Sequence, residues 1–182
     1  MAHKLEAGQA EIDEAQSLTF KLPFLQRLLD DQLSPLDAFD MHLLASTLPK
    51  ARAYSEAMVR FNGNLLGVEF KSNTREAYAC VLPELSEGGY RILYFTQDGF
   101  SGHHCEPTQA KAEVSMITEG YLIPTPGVLD AFSVTPEWER GLAYAELIRL
   151  LNCKRIDFAE LARRRDELNA QYQAKKQAVT CA

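Results

Sequence analysis

Residues 65–105 read LLGVEFKSNTREAYACVLPELSEGGYRILYFTQDGFSGHHC, and the fold class turns on them. Upstream, apolar residues recur every three or four positions. Here they recur every two, the period of a strand with one buried face. Leu65 to Phe70 runs into polar Lys71-Ser72-Asn73-Thr74, Glu76 to Leu82 is ended by Pro83, and Ser86-Glu87-Gly88-Gly89 turns into Tyr90 to Thr96. Gln97-Asp98-Gly99 then places Asp-Gly between apolar runs, a strong hairpin signal, before a short strand from Phe100 to about Cys105. The stretch predicts an antiparallel meander of four strands, with Tyr121 to Ile123 as a candidate fifth.

Helical periodicity flanks the meander on both sides. Leu25, Leu28 and Leu29 share a face after Pro23; Ser34-Pro35 opens a helix through Leu36, Phe39, Leu43 and Leu44; and a third runs from about Pro49 through Ala51, Tyr54, Met58 and Phe61 to Asn62-Gly63. Thr108 caps a helix closed by Gly120. Thr135-Pro136-Glu137 opens another with Trp138, Leu142, Ala145, Ile148 and Leu151 on one face, and Asp157 caps the last, Phe158 to about Lys176. Helices, then a meander, then helices is the layout of an α+β protein, an antiparallel four- to five-stranded sheet packed against N-terminal and C-terminal helices. The expected organisation is a flexible or loosely helical start over 1–20 and one α+β domain over 21–182. That domain comprises a helical layer at 20–62, the sheet with one helix at 64–123, and C-terminal helices at 127–178.

Length and composition bound the function classes. With 182 residues, 46% of them hydrophobic, the chain can bury a core without disulfide or metal staples. No apolar run approaches the roughly 18 residues of a membrane span, and Met1 to Ala10 has no signal-peptide apolar region, so a cytoplasmic location is expected. Cys80, Cys105, Cys153 and Cys181 are scattered without a Cys-x-x-Cys pair and read as free thiols. The net charge of −6 disfavours a general nucleic-acid binder. It is unevenly spread: residues 151–182 hold seven bases and four acids, and the preceding 150 hold 12 bases and 21 acids.

Chemistry concentrates in Asp98 to Glu106, where His103, His104 and Cys105 adjoin a carboxylate. Thiolate and imidazole are common zinc ligands, and a thiol beside a base is a nucleophile pattern, with Cys105 attacking, His42 or His103 as base, and Asp98 or Asp130 orienting it. On a strand, however, His103 and His104 point to opposite faces, leaving His103 and Cys105 as half a tetrahedral set. Gly63 to Gly67 and Gly99 to Gly102 are not phosphate loops, because neither follows a strand and opens a helix. The paired acids Asp30-Asp31, Asp37/Asp40, Glu84/Glu87 and Glu137/Glu139 fit capping and solubility. Arg163-Arg164-Arg165 offers a basic contact, with the counter-reading of a solvated helix face in which Glu160 and Arg164 pair at i,i+4.

These residues carry no family motif and no cofactor signature. The resulting expectation is a non-catalytic cytoplasmic protein that binds another macromolecule, in its sharper form an acidic inhibitor or regulator of a nucleic-acid-acting protein. Its contacts would be Arg91, Asp98 and Phe100 at the hairpin and Arg163, Arg164 and Arg165 on the last helix. Direct nucleic-acid contact would be confined to that helix, and pairing of the helix with a second copy is an open alternative. Tyr94, Phe100 and Tyr121 could anchor a partner, against core packing for at least two of the three. The competing expectation is a small enzyme or metal-binding protein with its site at His103, His104 and Cys105.

Overall fold

The structure is a computed structural model and describes residues 38–85 and 88–180, together with Pro23, Gln26 and Arg27. Leu25, Leu28 and Leu29 of the expected first helix, the Ser34-Pro35 helix start and the expected N-terminal segment 1–20 lie outside the described residues. Within them the elements are α1 (Ala38–Arg60), β1 (Glu69–Ser72), β2 (Tyr78–Pro83), β3 (Tyr90–Thr96), β4 (Gly99–Glu106), α2 (Gln109–Thr118), β5 (Tyr121–Pro124), α3 (Val128–Ser133), α4 (Pro136–Asn152) and α5 (Phe158–Thr180). The five strands form one antiparallel open sheet in the order β4-β3-β2-β1-β5, so the chain has an α+β fold. The meander is as expected, and Tyr121–Pro124 completes it on the outer side of β1, with Phe70 opposite Pro124 and Lys71 opposite Ile123. No helix of the described residues is long and apolar enough to cross a membrane.

Two local expectations are corrected. The helix break at Pro49 does not occur: α1 runs through it for 23 residues. Proline in a helix interior removes one hydrogen bond and crowds the preceding turn, at about 3 kcal/mol. Against that, Leu44, Leu48, Ala51, Tyr54 and Ala57 are all buried and form one stripe that crosses the proline. The first strand begins at Glu69, four residues later than expected, because Gly67 sits at φ +76° and Val68 N–H closes a turn on the Leu65 carbonyl at 3.0 Å. Leu66 keeps only an isolated bridge to Val81.

Helix ends follow the local chemistry of the sequence. Thr108 Oγ1 accepts from Lys111 N, Thr135 Oγ1 from Trp138 N at 3.2 Å, and Asp157 Oδ1 from Glu160 N at 2.8 Å, each using a donor the first turn leaves open. Asn62 at φ +54° and Gly63 at φ +78° end α1 in the left-handed region. The short α3 falls where the sequence shows only a break after Pro124.

The chain divides into two compact units. The first takes in the described residues up to Leu93 and resumes at His103–Thr125; its core holds Leu65, Phe70, Val81, Ile92, Met116, Ile117 and Tyr121, each at most 1% exposed. The second consists of Tyr94–Gly102 and the residues from Pro126 onward, with Phe95 and Trp138 at its centre. The distal half of the β3–β4 hairpin thus groups with α4 and α5.

Candidate partner-binding site

Within the second unit, the hairpin tip is fastened to α4 from both sides of its turn. Asp98 Oδ1 accepts from Arg140 Nη2 at 2.8 Å, and the Phe100 ring stands edge-on to Trp138 at 4.8 Å between centroids. The Arg140 guanidinium lies 4.5 Å above the Tyr172 ring, and the Tyr172 hydroxyl donates to Glu137 Oε1, which ties α5 to α4. Lys175 adds a 2.9 Å pair to Glu139. Two hollows flank this clasp. One of about 210 Å³ is lined by Asp98, Arg140, Tyr144, Arg165 and Leu168, and one of about 300 Å³ by Arg140, Leu168, Gln171, Tyr172 and Lys175. Asp98 and Arg165, expected as contacts from the sequence, therefore line the same hollow. Phe100 is 43% exposed even with its edge on Trp138.

The arginine run is already occupied. Arg163 bridges Glu160 and Glu167, Arg164 donates to Glu160 at 2.6 Å, and Arg165 pairs with Asp166 at 3.1 Å. Donated hydrogen bonds from Arg163 and Arg164 pull the Glu160 carboxyl down to about 2. Because that value lies below the ordinary glutamate value of 4.5, the stabilisation from this knot is complete above 4.5 and disappears as pH falls through about 2. The far-UV circular dichroism of the protein should lose helical signal across that acidic window. Glu160→Gln should remove this component of the loss, and identical acid profiles for the two proteins would show that the knot does not hold α5.

The remaining sequence candidates lie in the first unit. Arg91 Nη1 is 3.7 Å from Glu84 Oε2, and its buried Nε has no acceptor among the described residues. The neighbouring Cys80 thiol is pushed up to about 11, chiefly by burial and further by the Glu69 carboxylate. Tyr121, weighed as an anchor, is core at 1% exposure. On β4, His103, His104 and Cys105 are all exposed and Cys105 is a free thiol. Only His104 is engaged: its Nε2 lies 3.2 Å from Glu106 Oε1, and Glu106 also receives Ser115 at 2.9 Å and Lys111 at 3.2 Å. Burial pushes the Glu106 carboxyl up, but these three donors outweigh it and hold it below the usual range. Among the described residues, no group of three or more His, Cys, Asp or Glu side chains is placed to hold a metal ion.

A set of residues that the sequence did not single out as a site lies at the turn joining α4 to α5. Leu151, Lys154, Arg155, Ile156, Asp157 and Phe158 are among the residues lining an open hollow of about 580 Å³, with Phe158 78% exposed. The turn is a Schellman closure: Lys154 N–H bonds the Leu151 carbonyl at 2.8 Å and Arg155 N–H the Leu150 carbonyl at 2.9 Å. Such a closure needs a left-handed residue, normally glycine, and here Lys154 takes φ +56°. Among the described residues Lys154 has no ion-pair partner, while the Arg155 charge acts on the Glu146 carboxylate. The result is an uncovered phenylalanine with two cations and the Asp157 carboxylate around it. In the sequence, the signal was a helix stop with lysine where glycine would serve better.

Compared with known proteins, the chain matches no family model, no curated protein and no solved structure.

Proposed function

We propose that the chain is a non-catalytic binding protein whose partner is another protein, engaged through the α4–α5 turn. The observation that carries this is the exposed Phe158 lining a hollow together with Lys154, Arg155 and Asp157. Aromatic residues and arginine dominate binding energy at interface centres, and Phe158 and Arg155 are of those types. The partner this chemistry fits is an acidic surface presenting an apolar side chain. The rest of the hairpin supports the reading. Of the described side chains on α4 and α5, only Trp138 and Tyr172 are buried, so the expected apolar face is only partly covered: Leu142 is 41% exposed and Ala145 is exposed. The arginine run supports protein over nucleic acid, since each of its members already faces a carboxylate. The sharper form, an acidic regulator meeting a basic partner, would draw instead on the excess of acids in residues 1–150.

Lys154 makes the test selective. In the left-handed region a side chain costs about 1 kcal/mol relative to glycine, so Lys154→Gly should stabilise the fold by about that amount while removing one cation from the site. Affinity capture from cells of the source, followed by titration of the captured protein, should give an acidic partner. Lys154→Gly should weaken its binding several-fold despite the gain in stability, and Phe158→Asp should abolish it. A partner that binds both variants as well as the original protein would exclude this site, and a basic partner would favour the acidic-regulator form.

A further inference from the structure

We infer that Glu113 is a proton-operated lock: carrying its proton it fastens α1, α2 and the loop after α1 into one junction, and giving the proton up loosens that junction. Glu113 is 2% exposed, between buried Ala112 and Val114 on α2. Its Oε1 accepts from the Leu65 N–H of the loop at 3.2 Å and from Gln109 Nε2 at 2.8 Å, and its carboxyl shares a hydrogen bond with the Tyr54 hydroxyl of α1. Gln109 reaches on to Asn64 Oδ1 at 2.8 Å, which also accepts from Leu66 N–H at 3.0 Å. Three segments therefore meet on one carboxyl group.

No cation answers it. Among the described residues no Lys, Arg or His side chain pairs with Glu113, and Lys111 on the same helix goes to Glu106. β2 and β5 also pack on α2, and their titratable side chains are engaged by other groups: Tyr78 by Glu76, Cys80 by the fields of Glu69 and Arg91, and Tyr121 by Arg75. As a neutral acid, Glu113 keeps both bonds accepted at Oε1 and still meets the Tyr54 hydroxyl, and no charge is held out of water. As a carboxylate it keeps those bonds, with Tyr54 turned to donate, but a negative charge then stands out of water among neutral donors.

Burial raises the Glu113 carboxyl above its usual value even though three donated bonds oppose it. Burial, then the nearby Glu113 charge, pushes the Tyr54 hydroxyl up to about 12. The sign is opposite to that of Glu160. Stability from a raised carboxyl is complete below the ordinary glutamate value of 4.5 and is lost as pH rises through the folded value.

Urea unfolding across a pH series, with the protein and Glu113→Gln compared, tests this. Gln keeps the Oε1 acceptor and supplies a donor in place of the acid proton. Relative to the variant, the unfolding constant of the original protein should rise with pH between the ordinary glutamate value of 4.5 and the folded Glu113 midpoint, by at most about tenfold per pH unit, and level off above that midpoint. Parallel curves would overturn the lock. If Glu113→Gln does not fold, the ¹³C carboxyl titration of Glu113 in the unaltered protein decides: a midpoint above the ordinary glutamate range supports it, and one within or below that range overturns it. Hydrogen exchange at Leu65 N–H should accelerate beyond its intrinsic pH dependence over the same interval. A rate that follows the intrinsic dependence alone would equally overturn the lock.

Discussion

Trp138→Ala should cost the fold about 3–5 kcal/mol, the range for deleting a fully buried large aromatic side chain. Trp138 is 4% exposed and is the meeting point of the second unit: Phe95, fully buried, stands at 6.1 Å between ring centroids and Phe100 at 4.8 Å, both edge-on. Edge-on pairs add about 0.5–1.5 kcal/mol each beyond the area they bury. Few other buried side chains exist in α4 and α5 to make up the loss, since Tyr172 is the other one among those described. A small domain holds only about 5–15 kcal/mol in total, so the variant should melt far below the original protein. Urea unfolding followed by far-UV circular dichroism measures this, because removing the single tryptophan also removes its fluorescence. Leu142→Ala, at a 41% exposed position on the same helix, should cost under about 1 kcal/mol. Comparable losses from both substitutions would mean that the aromatic cluster is not the centre of this unit.

The elements that were legible in the sequence are those whose cause is local. Thr108, Thr135 and Asp157 cap the turn they begin, so their meaning is contained in three or four residues. The strands of the meander are bounded by local signals, Pro83 at the end of β2 and Asp98-Gly99 between β3 and β4, although burial does not alternate along β2 or β4. Pro49 was misleading for the opposite reason. Its local preference is for a break, and it is overridden by a stripe of burial whose partners lie elsewhere in the fold.

Site residues divide the same way. The pairing of Glu160 with Arg164 was visible at i,i+4, and with it the neutral character of the arginine run. Glu113 was not visible as a buried group, because a lone acid inside Ala112-Glu113-Val114 takes its environment from Tyr54 and Leu65, 59 and 48 positions away in the chain. The α4–α5 turn was hidden by its own chemistry. Without a glycine at Lys154 the sequence shows an interruption rather than a closure, and the exposure of Phe158 depends on what α4 leaves uncovered.

Gly141→Ala should destabilise the protein by about 2 kcal/mol, although the same substitution in an open helix would stabilise it by about 1 kcal/mol. Gly141 lies inside α4 with the hairpin turn pressed against it. A β-carbon built there would overlap the Asp98 carbonyl oxygen and lie 3.1 Å from Gly99 Cα, and both obstacles are backbone, which cannot swing aside as a side chain would. The tip itself cannot adjust easily, since Gly99 holds φ +115°. The tip must therefore lift, releasing Asp98 from Arg140 and drawing the Phe100 edge away from Trp138. This coupling gives a check independent of total stability. Phe100→Ala should cost about 1–2 kcal/mol in the original protein and at least about 0.5 kcal/mol less in the Gly141→Ala background, where the ring has already lost its seat. Additive losses would place the two residues on separate structural features. A Gly141→Ala protein as stable as the original would show that the hairpin tip does not press on α4 at all. The helix keeps a residue that weakens it, and the close approach of the Asp98-Gly99 turn is the physical reason for that weakness.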